Sequence, residues 1–298
     1  MIEIFSDLKS KFKRANIAIQ FIYINVSLFI AVSLIKLVLY LFNLDANWIL
    51  NIFSWPASFT SFIYKPWTAI TYMFMHSGIL HILFNMLILY WFGQLFLRYF
   101  SAKHFRGLYI LGGLFGGLFF MLSYNIFPIL KLQTSSSILV GASAAVLAIV
   151  MASAHKNPNQ NVRLLLLGNI KLKYIALFVI IADLLTIASD NPGGHIAHLG
   201  GAFAGFLFAS SLANGRDLTR WINSIIDFPL FIKSKLNKRK EKKKMKVVYK
   251  SKRKEDYSYN AKKKATNEEI DKILDKIKES GYHNLTAKEK QKLFDASK

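Results

Sequence analysis

Six long apolar segments limit what this chain can fold into more than any other feature of its sequence. A helix needs about 20 mostly apolar residues to cross the hydrocarbon core of a bilayer. Apolar segments at or near that length occupy residues 17–42, 67–96, 107–124, 138–154, 174–189 and 194–213. The pattern predicts an all-α polytopic membrane protein whose six transmembrane helices form a bundle.

The distribution of charge separates this membrane part from a soluble tail. The 298 residues carry a formal net charge of +22, although 53% of them are hydrophobic. Residues 214–298 contain 25 Lys and Arg against 12 Asp and Glu. We therefore predict a cytoplasmic N-terminal leader (1–16), a six-helix membrane domain (17–213), a basic and largely flexible cytoplasmic linker (214–265) and a small helical hairpin (266–298).

The basic residues of the loops predict the orientation of the helices. Cytoplasmic loops next to membrane spans hold an excess of Lys and Arg. Eleven such residues flank the spans on one side, against Lys65 and Lys131 on the other, which predicts that both termini are cytoplasmic. The polar leader and the length of the first apolar run favour a first span over a cleavable signal peptide. A lysine-rich segment directly after the last span favours anionic lipid, and not nucleic acid, as the partner of the tail.

Several kinds of chemistry are excluded or disfavoured. The chain contains no cysteine, so disulfides and thiolate nucleophiles are impossible. It also lacks the HExxH motif of zinc metalloproteases and the GxGD segment expected of aspartyl intramembrane proteases. Four histidines could together bind a metal: His76, His81, His195 and His198. Such a site would lack the carboxylate that metal sites commonly include, so we predict no metal and no cofactor.

The segment HSGILHILFN, residues 76–85, places polar side chains inside an apolar run. His81 and Asn85 are four residues apart and therefore share one face of a helix. A buried imidazole or amide without a hydrogen-bond partner costs a few kcal/mol, so both side chains must meet partners inside the bundle. Structural hydrogen bonds between helices are one explanation of the pair, and a functional site is the other.

Two later segments carry further polar and small residues. VGASAAV, residues 140–146, has Ser143 at its centre, where a lone serine commonly bonds to its own helix backbone. GGHIAHLGGAFAG, residues 193–205, contains His195 and His198, followed by Gly201 and Gly205 in a small-xxx-small pattern that permits close helix packing.

Together the three segments specify acyl-transfer chemistry. A serine hydroxyl becomes a nucleophile when a base within hydrogen-bond reach takes its proton, and histidine is the suitable base. Ser143 could pair with His195 or His198, because the two histidines lie one turn apart. The oxyanion formed by attack on a carbonyl needs hydrogen-bond donors, and His81 and Asn85 would supply them.

The order of HxxxxHxxxN, GxS and AHxGG along residues 67–213 resembles the rhomboid intramembrane serine proteases. The resemblance implies a six-helix rhomboid bundle that works with a catalytic dyad. It implies Ser143 as the nucleophile and His198, which fits AHxGG, as the base. The other positions that match the family motifs are His81, Asn85 and Gly141 for stabilisation of the oxyanion, His76 as a supporting residue, and Gly201 and Gly205 for helix packing.

The function implied by this resemblance is that of a serine endopeptidase. Its substrates would be membrane proteins, cut in or near their transmembrane segments, and its location a bacterial cytoplasmic (inner) membrane. The alternative is a catalytically inactive rhomboid-fold membrane chaperone or adaptor. Such a protein would be expected to lose the serine or the histidine, and this chain keeps both.

The sequence departs from the family pattern at two positions. Ala144 follows the serine where the family usually has glycine, and Leu147 stands where family members often carry an aromatic ring. A further ionisable residue, Asp183, lies within the fifth apolar segment. Intramembrane carboxylates are functional suspects, but the expected role of Asp183 is a polar contact to loop backbone or to water.

The last 33 residues predict a helical hairpin. Thr266 with Glu269 and Thr286 with Glu289 have the spacing of capping boxes, and Gly281 suits a helix end. The hairpin resembles a small C-terminal module of some bacterial rhomboid-type proteins. It is too small for much stability of its own, which favours docking either on a partner that the sequence does not identify or on the membrane domain.

Overall fold

A computed structural model describes the backbone of residues 2–164 and 168–296. It describes the side chains of residues 6–163, 168–229, 232 and 255–296. The chain divides into two compact units, Met1–Ile226 and Asp227–Lys298.

The first unit is built almost entirely of helices. Its helices are α1 (Ile2–Arg14), α2 (Ile17–Leu41), α3 (Asn47–Phe53), α4 (Phe59–Tyr64), α5 (Thr68–Thr71), a 3-10 turn (Tyr72–Phe74), α6 (Ile79–Phe96), α7 (Ala102–Ile126), α8 (Pro128–Lys131), α9 (Ser143–Lys156), α10 (Leu172–Leu185) and α11 (Pro192–Ala213). Two antiparallel strand pairs complete it: β1 (Trp55–Pro56) with β2 (Ile138–Leu139), and β3 (Asn161–Leu164) with β4 (Gly168–Lys171).

Four helices of the described residues are long and apolar enough to cross a membrane: α2, α6, α7 and α11. Helices α9 and α10 have 14 residues each, and a six-helix bundle is consistent with these four spans and two shorter apolar helices. The protein is an all-α integral membrane protein.

The second and fourth predicted segments begin later as helices than the apolar pattern indicates. Residues 67–78 form α5, a 3-10 turn and a link that ends at Gly78, whose extended backbone (φ −165°) precedes α6. Residues 138–142 form β2 and a loop before α9 begins at Ser143. Hydropathy does not distinguish an apolar helix from an apolar strand or loop buried beside it, which explains both shifts.

Small residues let α9 pack closely in the middle of the unit. Ala144, Ala145 and Ala148 of α9 are almost fully buried. A Cβ atom added at Gly112 of α7 would lie 2.4 Å from the Ala148 Cβ atom, and one added at Gly205 of α11 would lie 2.2 Å from the Ala148 carbonyl oxygen. The backbones of these helices therefore approach as closely as glycine allows.

Helix α12 spans Arg220–Ser280, and the second unit contains it from Asp227 onward, followed by a 3-10 turn (Tyr282–Asn284) and α13 (Ala287–Ala296). Gly281, the residue after α12, adopts a left-handed backbone conformation (φ +79°). The Thr286 N–H donates to Glu289 at 2.7 Å, and the Glu289 N–H donates to the Thr286 hydroxyl at 3.4 Å. These two bonds form the predicted capping box of α13.

The first predicted capping box, at Thr266, is absent because α12 passes through this position. The Thr266 hydroxyl donates to the Lys262 carbonyl oxygen at 3.0 Å, as a hydroxyl within a helix does. Lysine is a good helix former, and after Pro229 no proline or glycine interrupts the segment before Gly281. The predicted domain limits at 214, 265 and 266 stay predictions.

Candidate active site

Ser143 is the first residue of α9, and the preceding loop is fixed from both sides. The Gly141 N–H donates to the Tyr72 carbonyl oxygen at 3.0 Å. Just before it, β2 pairs with β1 from the long loop after α2. The first turn of an α-helix leaves its N–H groups without partners inside the helix, so the half-buried Ser143 side chain stands at the electropositive end of α9.

Glycines bring the serine helix against the histidine helix. A Cβ atom added at Gly201 of α11 would lie 2.0 Å from the Ala144 carbonyl oxygen. One added at Gly116 of α7 would lie 2.4 Å from the Ala144 Cβ atom and 3.0 Å from the Ala197 carbonyl oxygen. Because Ala144 follows the serine and Ala197 precedes His198, this packing places the two candidate catalytic residues on adjoining helices.

The His81 ring lies against the loop that leads to the serine. Gly141 has φ +121°, and a Cβ atom there would lie 2.8 Å from His81 Nε2 and 3.8 Å from Ser143 Oγ. On its other side the ring has its Nδ1 atom 3.0 Å from the Ser77 hydroxyl. If Ser77 donates to Nδ1, the neutral ring carries its proton on Nε2, the atom that faces the serine loop.

Asn85 and His76 lie behind His81. One amide hydrogen of Asn85 is used within α6, where Nδ2 donates to the His81 carbonyl oxygen at 2.9 Å. An amide group has two such hydrogens, so one is left for another acceptor. His76 lies before α6 and is buried, and its ring meets the His81 ring edge to face with centroids 5.2 Å apart. These contacts hold His81 in place.

Asp183 joins the two histidines of α11. It lies near the end of α10, is 7% exposed, and has one carboxylate oxygen, Oδ1, next to both rings. The distance from Oδ1 to His195 Nδ1 is 2.8 Å, and that to His198 Nδ1 is 2.9 Å. The protein partners of the Asp183 carboxylate are therefore two histidine side chains, and not the loop backbone that the sequence led us to expect. The helical hairpin of α10 and α11 folds the carboxylate onto the histidines 12 and 15 residues later.

The same three side chains form a group that could bind a metal ion. Their ligand atoms lie within 4.8 Å of one another, and the group differs from the four histidines considered from sequence. Two ligands of a tetrahedral zinc ion, each about 2.0–2.1 Å from the metal, stand about 3.3 Å apart. The nitrogen-to-oxygen distances of 2.8 and 2.9 Å are instead those of hydrogen bonds.

The structure thus brings most of the candidate residues to one place. Ser143, Gly141, His81 and His198 lie around the start of α9, and Gly201 and Gly205 lie against α9. In the described side chains no hydrogen bond joins the Ser143 hydroxyl to the His198 ring. Such bonds are often long in enzymes without substrate and shorten when substrate binds.

Sequence reasoning missed the residues that hold these rings. Ser77 contacts His81, and Thr186 and Ser189 contact His195 at 3.1 and 3.3 Å. None of them belongs to a recognised motif. The signal that could have indicated the Asp183 contacts is the short link between two apolar segments, which forces the end of α10 to face the start of α11.

Comparison with protein families assigns the membrane part of the chain. Residues 64–214 match the Rhomboid domain, just over half of the chain. The chain belongs to the rhomboid family. The matched range contains all the candidate catalytic residues of this rhomboid protein. Residues 255–298 match a second family, DUF6576, which is a family of unknown function.

A curated relative is also a rhomboid protein. It is the RHOMBOID-like protein 12, mitochondrial, of Arabidopsis thaliana, 28% identical over 158 residues. The match covers 50% of this rhomboid chain and 47% of the relative, so the chain spans about half of the relative's length.

Proposed function

We propose that this rhomboid protein is an intramembrane serine protease with Ser143 as nucleophile and His198 as general base. The observation that carries the proposal is the contact of α9 with α11, where Gly201 leaves room for the carbonyl group of Ala144. This contact places Ala144, the residue after the serine, beside the turn of α11 that follows His198. The placement of a serine and a histidine on adjoining rigid helices supports the proposal, because nucleophilic catalysis needs the base held within reach of the nucleophile.

The proposed reaction is hydrolysis of a peptide bond through an acyl-enzyme. Ser143 Oγ attacks the carbonyl carbon while its proton passes to His198 Nε2. The C–N bond then breaks, and His198 returns the proton to the leaving amine. A water molecule, deprotonated by His198, hydrolyses the ester and regenerates the serine.

The oxyanion would form beside His81 and the start of α9. His81 Nε2–H, the free amide hydrogen of Asn85 and the first N–H groups of α9 are the donors available there. The Gly141 N–H already donates to Tyr72, so the proposed contribution of Gly141 is the space that it leaves for the His81 ring.

The surroundings of the protein are part of the proposal. The excess of Lys and Arg in the loops on one side supports cytoplasmic termini. The proposed location is a bacterial cytoplasmic membrane, and the proposed substrates are transmembrane proteins. Anionic lipid is the proposed partner of the basic tail. The side chains of 233–254, where much of that basic charge lies, are outside the described residues.

The test is cleavage of a model transmembrane substrate by the purified full-length protein in liposomes. Ser143→Ala and His198→Ala should each lower kcat by about a thousandfold or more. Ser135→Ala, which changes an exposed serine of the preceding loop, is the matched control and should keep full activity. A fluorophosphonate should label the wild type and the control but not Ser143→Ala.

The adaptor alternative gives the opposite results. If the wild type cuts no transmembrane substrate and the fluorophosphonate leaves Ser143 unlabelled, the chain is not a protease. If this inactive wild type instead binds an intact transmembrane protein, the result would favour a chaperone or adaptor. Cleavage that survives Ser143→Ala would contradict the assignment of the nucleophile.

A further inference from the structure

The most unusual group of the membrane unit is the Asp183 carboxylate with its two histidine partners. Asp183 is 7% exposed in a protein that crosses a bilayer. Burial of an unpaired carboxylate in a medium of low polarity is costly, so a carboxylate kept there is held by hydrogen-bond donors. His195 Nδ1 and His198 Nδ1 are at hydrogen-bond distance from the same oxygen, Oδ1.

The neighbours of His195 define which of its nitrogens carries the proton. The Thr186 hydroxyl donates to the Ala182 carbonyl oxygen at 2.6 Å. Its oxygen, which lies 3.1 Å from His195 Nδ1, is then an acceptor for the histidine. His195 Nδ1 therefore carries a proton, which it shares between Thr186 and Asp183. The Ser189 hydroxyl, 3.3 Å from Nε2, can donate to the remaining nitrogen.

The carboxylate imposes the same proton position on His198. An ionised carboxylate only accepts hydrogen bonds, so the contact at 2.9 Å requires a proton on His198 Nδ1. A neutral imidazole with a proton on Nδ1 has its lone pair on Nε2. The contact with Asp183 therefore leaves Nε2 of His198 free, and Nε2 is the nitrogen that acts as the base in the proposed reaction.

We propose that Asp183 is a positioning residue for His198, so that the site works as a Ser143–His198–Asp183 triad with His195 as a brace. This inference rests on the proposed protease function. Asp183 holds the His198 ring in one orientation and one tautomer. When the proton of Ser143 reaches Nε2, the carboxylate stabilises the imidazolium ion and itself stays ionised.

His195 has a separate part in this arrangement. It supplies the second donor to Asp183 Oδ1 and is itself held by Thr186 and Ser189. This network keeps the carboxylate from turning toward water and away from His198. The rings of His195 and His198 are nearly perpendicular, with centroids 6.0 Å apart, so the two donors reach the oxygen from different directions.

The decisive variant is Asp183→Asn, measured in the full-length protein with the liposome assay. An asparagine amide that donates to His198 Nδ1 would favour the tautomer with its proton on Nε2, which cannot accept the serine proton. We expect kcat to fall about a hundredfold or more while KM changes less than twofold. Asp190→Asn, at an exposed position of the loop between α10 and α11, is the matched control.

Two further variants separate positioning from a merely structural role. Asp183→Glu retains an acceptor and should recover at least tenfold of the lost kcat. His195→Ala removes the brace but not the carboxylate, so its kcat should fall less than that of Asp183→Asn. A kcat within threefold of wild type in Asp183→Asn would overturn the proposal.

A spectroscopic measurement tests the proposal without any activity. In protein labelled with ¹⁵N-histidine, the nitrogen shifts show which ring atom is protonated, and the His198 signals are assigned with His198→Ala. We expect Nδ1–H in the wild type and Nε2–H in Asp183→Asn. Nε2–H in the wild type would overturn the positioning role, and this readout also decides the case in which Asp183→Asn does not fold. Because no substrate is needed, it separates failure of the triad from failure of the protease proposal.

Discussion

The two units of this protein hold their helices together in opposite ways. Around α9 the helices pack closely because glycines of α7 and α11, which have no side chain, face α9. Between α12 and α13 the contacts come from side chains that are present. Ile273 and Leu285 are each 5% exposed, and Lys276 pairs with Glu289 at 2.9 Å.

The difference follows from the solvent of each unit. Lipid chains are as apolar as leucine, so burial of a large side chain between membrane helices gains little, and close packing must hold the helices together. In water, burial of apolar surface is itself stabilising, by about 25 cal/mol per Å². We therefore expect a glycine-to-alanine substitution to destabilise the first unit most, whereas truncation of a buried side chain should destabilise the second.

The largest effect is expected at Gly201. In Gly201→Ala the new Cβ atom would lie 2.0 Å from the Ala144 carbonyl oxygen, and a backbone atom cannot move aside as a flexible side chain can. We expect a loss of about 3 kcal/mol or more, the upper part of the range for overpacked cores. Thermal unfolding in detergent would measure it as a lower Tm, together with lost protease activity.

Gly78→Ala is the control for this variant. A Cβ atom at Gly78 meets nothing within 4 Å, and its extended backbone accepts any residue. Its Tm should stay near that of the wild type. Equal Tm values for the two variants would show that close packing against α9 does not hold this unit.

A smaller effect on stability, but a clear one on activity, is expected at Gly141. Alanine there would cost about 1–3 kcal/mol because φ +121° is a backbone conformation that residues with a Cβ atom rarely adopt. It would also displace the His81 ring, whose Nε2 atom lies 2.8 Å from the new Cβ position. Loss of one oxyanion donor lowers kcat about a hundredfold, so we expect a fall of that order.

Kinetics in liposomes, with Gly78→Ala again as the control, would measure the effect of Gly141→Ala. An unchanged kcat would remove His81 from the oxyanion site. A parallel rise in KM would instead indicate that the whole loop before α9 had moved.

The sequence predicted the membrane architecture and the residues around α9 better than the contacts that hold them. Apolar length indicates spans, and motifs such as AHxGG indicate which polar residues share a site. The short link between α10 and α11 indicates that the ends of these helices meet, but which side chains become partners of Asp183 depends on how the link is folded. Hydropathy also failed to predict where α6 begins. The turns before α6 are apolar like the helix itself, so hydropathy does not mark the boundary.

In the second unit the same limit appeared at Thr266. The capping spacing was present at both threonines, but a cap forms only where the chain before it leaves the helix. Gly281 provides that break before Thr286, whereas nothing provides it before Thr266. The spacing of a capping box therefore predicts the start of a helix only where the chain before the threonine is not itself helical.

A removed side chain should disturb the second unit alone. Leu285→Ala deletes a buried side chain, which commonly costs about 2–5 kcal/mol, with the smaller values at sites that can collapse. We expect limited proteolysis of the full-length protein to cut near α13 faster. Leu274→Ala, at a residue 49% exposed, is the control and should be cut at the wild-type rate. A lower Tm of the membrane unit in Leu285→Ala would contradict this prediction.

The smallest effect is expected from the charge of Glu289 at the start of α13. The Lys276 ammonium group, with the N–H and hydroxyl of Thr286, lowers the pKa of Glu289 from 4.5 to about 2. A lowered pKa means that the charged form is the one that stabilises the fold. That stabilisation is complete above the ordinary pKa and is lost as the pH falls through about 2.

Cleavage by pepsin at α13 would test this, because pepsin works in that pH range. In the wild type the cleavage rate, relative to an unfolded reference peptide, should rise as the pH falls from 4.5 toward 2. Glu289→Gln lacks this charge but keeps the Lys292–Glu269 ion pair between the same helices, so its relative rate should be higher at pH 4.5 and should rise less below it than that of the wild type. Since the ion pair is exposed to water, the contrast should be small and should shrink further in high salt. A wild-type rate that rises no more than that of Glu289→Gln would mean that the charge of Glu289 does not hold α13 in place.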